Sequence, residues 1–288
     1  MLCLHRAEGA WCIREDGRAV RERDLDDVVM SARGMYEYYL RKNGTVFWSK
    51  EPYDSRGAPP PPAGVFDGIG KVAALTGSDD DGNIMLLSAD SRVYRWKDEL
   101  VAEDPEYEAE LQRGLNEVKV PERVRYLADN GWRAGVGESG SAYDFGDQKV
   151  ATPLRGNPPP GVVALTSGAG HDCLLTDQGK VYCRGDNSRA QLGLGTRSAG
   201  SIEFKQVSLA AACRIRAQHD TTYAVLMDGS VWFWGGRVPF VMNPTERDFP
   251  QRAAGLTEVS DLRFGIVLRR DGTLERQTKE KRITLEFQ

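Results

Sequence analysis

Apolar positions in this chain come in short alternating runs, each stopped by a small polar turn. The clearest run is Val162-Val163-Ala164-Leu165, then Gly170-His171-Asp172-Cys173-Leu174-Leu175, then Asp177-Gln178-Gly179, then Lys180-Val181-Tyr182-Cys183. Alternation over four to eight residues bounded by turn residues predicts strand, loop, strand, tight turn, strand. The same hairpin recurs at Asp16-Gly17, Asn43-Gly44, Asp90-Ser91, Ser139-Gly140, Gln178-Gly179, Asp228-Gly229 and Asp271-Gly272. Two positions after each turn stands an aliphatic residue: Ala19, Val46, Val93, Ala142, Val181, Val231, Leu274. One position further stand Val20, Phe47, Tyr94, Tyr143, Tyr182, Trp232 and Glu275, mostly aromatic. Ser91 and Glu275 are the departures.

Seven units over 288 residues give about 41 residues each, the length of one four-stranded propeller blade. A lone short sheet cannot bury both faces, whereas radial stacking buries each sheet against its neighbours. The predicted fold is therefore all-β: a seven-bladed β-propeller, one domain over residues 1–288, with a short helical insertion after blade 3. Only 27 residues separate the first two turns, so blade 1 or 2 is short of a strand. The segment Arg282 to Phe287 either completes blade 7 or closes the ring against blade 1. The insertion spans about 98–121. Asp104 is a candidate N-cap, Pro105 suits a first turn, and Tyr107, Leu111 and Leu115 share one face of a helix over Glu106 to Asn116. Pro59 to Pro62 and Pro158 to Pro160 read as stiff linkers before new blades.

These residues carry a family resemblance. His171-Asp172 ahead of the hairpin, Tyr182-Cys183-Arg184-Gly185-Asp186-Asn187 after it, and Gln191-Leu192-Gly193-Leu194-Gly195 resemble the regulator of chromosome condensation repeat. Ala190 stands where that family usually has Gly. Val231-Trp232-Phe233-Trp234-Gly235 matches the Trp-Gly part, and the other blades match through the hairpin alone. The resemblance implies a seven-bladed propeller along nearly the whole chain. It also implies a range of partners, because relatives include exchange factors for small GTPases, chromatin binders and a bacterial inhibitor of β-lactamases.

Charge narrows that range. Lys+Arg total 38 against Asp+Glu 42, a net charge of −4, which disfavours nucleic acid as a partner. The N-terminus has no secretory pattern and no apolar run is long enough to span a bilayer, so a cytoplasmic protein with no membrane partner is expected. The sequence carries no nucleophile elbow, phosphate loop or HExxH motif. His5, His171 and His219 are its three histidines, and the resemblance gives His171 a structural place. No catalytic residue, cofactor or metal is expected. Asp79-Asp80-Asp81-Gly82-Asn83 lacks the alternating acids of a calcium loop. It reads as a solvated turn or an acidic contact for a basic partner.

The loops between first and second strands carry the candidate partner-binding residues. They are Trp11, Arg33 and Tyr36, then Asp79, Asp80 and Asp81, then Trp132 and Arg133, then His219, Arg263 and Phe264. Topology brings these loops to one end of a propeller, and Trp, Tyr and Arg dominate binding hot spots. The expected function is a non-enzymatic, monomeric, protein-binding propeller, an adaptor or inhibitor using one ring face. The alternative is guanine-nucleotide exchange on a small GTPase. Cys3, Cys12, Cys173, Cys183 and Cys213 form no CxxC pair. Cys173 and Cys183 flank the Gln178 turn symmetrically, which pairs them across the hairpin at a non-hydrogen-bonded site with Cα atoms ~4.5 Å apart. The two sulfurs are then neighbours, either bridged or as packed thiols.

Overall fold

A computed structural model describes residues 2–6, 9–13, 19–21, 27–33, 37–49, 64–65, 69–77, 83–97, 115–129, 133–146, 149–236, 247–263, 266–277 and 282–284. Among them the chain is all-β and contains no helix. They form one three-stranded and six four-stranded antiparallel sheets, following one another in chain order. The sheets pack through their first strands: Leu2–Arg6, Val28–Arg33, Val72–Gly77, Val124–Leu127, Val162–Ser167, Ala212–Gln218 and Val259–Arg263. Each of these inner strands touches the inner strand of the next sheet.

Alternation along the strands builds the core between sheets. In the second strand of the fifth sheet, His171–Thr176, Leu174 packs with Ala134, Val136 and Leu154 of the preceding sheet. Its neighbours Cys173 and Leu175 pack with Ile215, Ala224 and Trp234 of the following one. Five such clusters fill the spaces between consecutive sheets from the second to the seventh. Each fully buried Leu, Ile or Val contributes roughly 1.5–3 kcal/mol.

The recurring turn also joins sheets. At the Gln178-Gly179 turn, Thr176 N–H donates to Lys180 O and Gly179 N–H to Thr176 O. Gly179 O then accepts the N–H of Ala212, the first residue of the next inner strand. The same latch runs from Gly44 to Val72, Ser91 to Val124, Gly140 to Val162 and Gly229 to Val259. Gly179 has φ +74°, and a Cβ there would lie 2.9 Å from Ala211 Cβ, so both conformation and space favour glycine. Ser91 holds the same left-handed conformation, φ 70°, in a turn where Ser88 Oγ donates to Asp90 and Arg92 Nε pairs with Asp90. One bulge also repeats. In all six inner strands from the second sheet on, the register shifts after the first paired residue, as between Ala212 and Arg214.

One expectation, the helical insertion, needs correction. Most of the predicted helix over Glu106 to Asn116 lies outside the described residues. Its last two residues, Leu115 and Asn116, belong instead to the outer strand Leu115–Val118, opposite Trp96 and Arg95. Backbone pairing to an open sheet edge overrides the spacing of four on which the helix rests. The predicted insertion therefore overlaps a fourth strand. Arg282–Thr284 pairs with Leu274–Gln277 and is the fourth strand of the seventh sheet. The first sheet has three strands among the described residues.

Candidate functional site

The loops between first and second strands share one end of the sheets with the loops between third and fourth strands. On this face the loops of the fifth and sixth sheets meet. His219 sits in a two-residue turn closed by the Gln218–Thr221 pair, with φ 48°. Its carbonyl accepts the N–H of Ala169 from the neighbouring loop at 2.9 Å, and its side chain is exposed. Asp220 beside it pairs with Arg189 of the fifth sheet's outer loop at 3.3 Å. Asp186, near the end of the strand Val181–Asn187 that leads into that loop, accepts from Ser188 and Gln191, and those hydrogen bonds hold its carboxyl below the usual carboxylate range.

The Gln-Leu-Gly segment anchors this loop. Gln191 and Leu192 are fully buried. Gln191 O accepts from both Thr222 Oγ1 and Trp234 Nε1, and Asn187 Oδ1 caps Leu192 N–H. Ala190 adopts φ 62°, the left-handed conformation that favours glycine. Underneath lies His171, 2% exposed, with Nε2 2.8 Å from Thr222 Oγ1. Its Nδ1 is buried without a hydrogen-bond partner. Burial pushes its pKa down to about 4, opposed by the nearby Asp186 charge. The ring is thus enclosed in the core and uncharged at neutral pH. Asp172 is paired to Arg184 at 3.0 Å and accepts from Ser167 Oγ. Burial raises its pKa, and Arg184 and Ser167 lower it.

Arg216 and Asp261 on their inner strands, with Asp129 two residues past the inner strand Val124–Leu127, bring together three charges. Arg216 Nη1 donates to Asp129 Oδ2, and Arg216 Nη2 lies 3.6 Å from Asp261 Oδ2. The three residues come from the fourth, sixth and seventh sheets, so the guanidinium ties distant parts of the array together. Thr166 of the fifth sheet is fully buried beside them and accepts Ala217 N–H.

Of the sequence-derived candidates, His219 and Arg133 lie on this loop face within the described residues. Arg133 is half-buried, and its carbonyl accepts Phe145 N–H at 2.7 Å. Tyr36, Asp79, Asp80, Asp81, Trp132 and Phe264 lie outside the described residues. Trp11 is not a loop residue. It lies in the strand Gly9–Ile13, opposite Leu4 and Arg21, because the connection from Arg6 is only two residues long. Arg33 and Arg263 end their inner strands, opposite Glu37 and Ile266. Cys173 and Cys183 stand in the predicted register and are joined as a disulfide, with Cα atoms 4.2 Å apart. No cluster of side chains suited to a metal occurs among the described residues. Arg216, Asp129 and Asp261 escaped sequence reasoning. Charges in or just past the inner strands were its available signal.

Residues 162–191 match the family model of the regulator of chromosome condensation (RCC1) repeat. No curated protein matches the chain. Among solved structures, Prp20p from Saccharomyces cerevisiae aligns with TM-score 0.69 and 14% identity over 93% of this chain and 80% of its own. That protein is described with its binding properties to Gsp1p and histones. Human WBSCR16 aligns with TM-score 0.68 and 15% identity, over 95% of this chain and 87% of its own. Yeast RCC1 (Prp20) bound to Kap60 aligns with TM-score 0.65 and 16% identity, over 90% and 72%. The chain thus carries an RCC1-type repeat on an RCC1-like β-propeller fold.

Proposed function

We propose that this chain is a seven-bladed propeller that binds another protein through the ring face bearing the first-to-second-strand loops, as a non-enzymatic adaptor or inhibitor. The observation that carries the reading is the way this face is held. The His219 turn is tied to the Ala169 loop, Arg189 is paired to Asp220, and Arg216 links Asp129 and Asp261 beneath. Loops fixed on a rigid scaffold lose little entropy on binding. Exposed charge of both signs suits a polar interface rim. The named partners of the yeast relative, Gsp1p, histones and Kap60, support a protein as the ligand class. With a partner in hand, Trp132→Ala is expected to weaken binding by on the order of 2 kcal/mol. Unchanged affinity in calorimetry counts against this face.

A second reading, guanine-nucleotide exchange on a small GTPase, draws on the fold shared with Prp20p and its binding to Gsp1p. Release of a fluorescent guanine nucleotide from the host's small GTPases separates the two. An adaptor leaves the rate unchanged, whereas an exchange factor accelerates it.

A further inference from the structure

Four of the five cysteines stand in facing pairs. The first is the Cys173–Cys183 bridge. The second pair is Cys3 and Cys12, opposite each other in the hairpin of Leu2–Arg6 and Gly9–Ile13. Only residues 7 and 8 separate these strands, so Arg6 and Gly9, which flank the loop, form a hydrogen-bonded pair. Pair types alternate along an antiparallel ladder. His5–Ala10 is then non-hydrogen-bonded, Leu4–Trp11 hydrogen-bonded and Cys3–Cys12 non-hydrogen-bonded. Such sites bring Cα atoms to ~4.5 Å, within reach of a disulfide, and directly opposite residues share a sheet face. The count back from the Gln178 turn puts Cys173–Cys183 in the same class of site. The fifth cysteine has another task. Cys213 occupies the inner-strand bulge and its thiol lies 3.4 Å from Val225 O and 3.5 Å from Leu226 O. Ser260 occupies the equivalent bulge in the next sheet and contacts Leu268 O and Arg269 O in the same way.

We propose that Cys3 and Cys12 form a second cross-strand disulfide, leaving Cys213 as the one free thiol of the chain. The bond forms by exchange with a disulfide oxidant such as oxidised glutathione. One thiolate attacks the oxidant and expels a reduced glutathione. The second thiolate then attacks the mixed disulfide and expels another. Two cysteine thiols become one cystine, and one glutathione disulfide becomes two thiols. Bridges of this kind persist in oxidising compartments and are rare in a reducing cytoplasm. The pair therefore argues against the cytoplasmic location expected from the sequence.

The full-length chain, equilibrated with oxidised and reduced glutathione, is unfolded in guanidinium with excess iodoacetamide and digested with trypsin. Trypsin cuts after Arg6 and after Lys180, between the members of each pair. Peptides 1–6 and 7–14 are expected to run as one disulfide-linked species, with Cys213 alone alkylated. Prior reduction is expected to give five alkylated cysteines. In Cys12→Ser, Cys3 becomes alkylated while the Cys173–Cys183 linkage survives. Alkylation of both Cys3 and Cys12 in the oxidised protein overturns the proposal, and so does either of them linked to Cys213.

Discussion

His171 gives the chain a pH-dependent stability whose size follows from its surroundings. The ring is 2% exposed, Nε2 meets Thr222 Oγ1, and Nδ1 has no hydrogen-bond partner to receive a proton's charge. Its pKa in the folded chain is about 4, against an ordinary 6.5. The unfolded chain therefore binds a proton that the folded chain refuses between these values. Stability attributable to this group is intact above pH 6.5 and falls as pH drops towards 4. The full gap corresponds to about 3 kcal/mol, of which about 2 kcal/mol is lost by pH 5. Urea unfolding of the wild type and of His171→Gln at pH 7.5 and pH 5.0 isolates this contribution. Titration of Asp172, raised by burial, occurs in both proteins and cancels in the difference. At pH 7.5 the variant is the less stable protein. At pH 5.0 its deficit is expected to shrink by about 2 kcal/mol, because glutamine has no proton to gain. A deficit independent of pH refutes the assignment of a neutral, core-locked imidazole.

Two further substitutions probe the frame of the candidate face. Arg216→Met leaves Asp129 and Asp261 without their shared cation and is expected to cost about 1–2 kcal/mol in urea unfolding, partly restored by adding Asp129→Asn. No loss on Arg216→Met contradicts the role of this link. Gly193→Ala places a Cβ 2.8 Å from the Trp234 ring at φ +67° and is expected to cost about 2 kcal/mol and shift the Trp234 fluorescence. Gly195→Ala, at φ +78° with open space around it, serves as the comparison, and equal costs would show that the Trp234 contact contributes nothing.

The hairpins were legible because each depends on a local conformation that few residues adopt. The described turn positions Gly44, Ser91, Gly140, Gly179, Gly229 and Gly272 all have positive φ. Even the non-glycine departure keeps the turn. The sequence could not reveal that the same carbonyls latch successive sheets, since that partner lies two strands and a linker away. The Cys173–Cys183 register followed from counting back from a turn of known length, a strictly local inference. Leu115 and Asn116 misled because spacing alone cannot report an open strand edge waiting for a partner. Trp11 misled because a two-residue loop was too short to contain it. The Asp129–Arg216–Asp261 group is assembled from three sheets far apart in the chain, so no local pattern marks it.

Site-specific crosslinking reads directly whether a protein partner sits on the loop face. A photo-activatable amino acid placed singly at Arg133 or His219 samples that face, and one placed at Asn43 or Asp228 samples the turns at the opposite end. After irradiation in extracts of the host cells, covalent adducts to a common protein are expected from Arg133 and His219. The same adducts obtained from Asn43 and Asp228, with none from Arg133 or His219, would place the partner on the opposite end and contradict the loop-face reading.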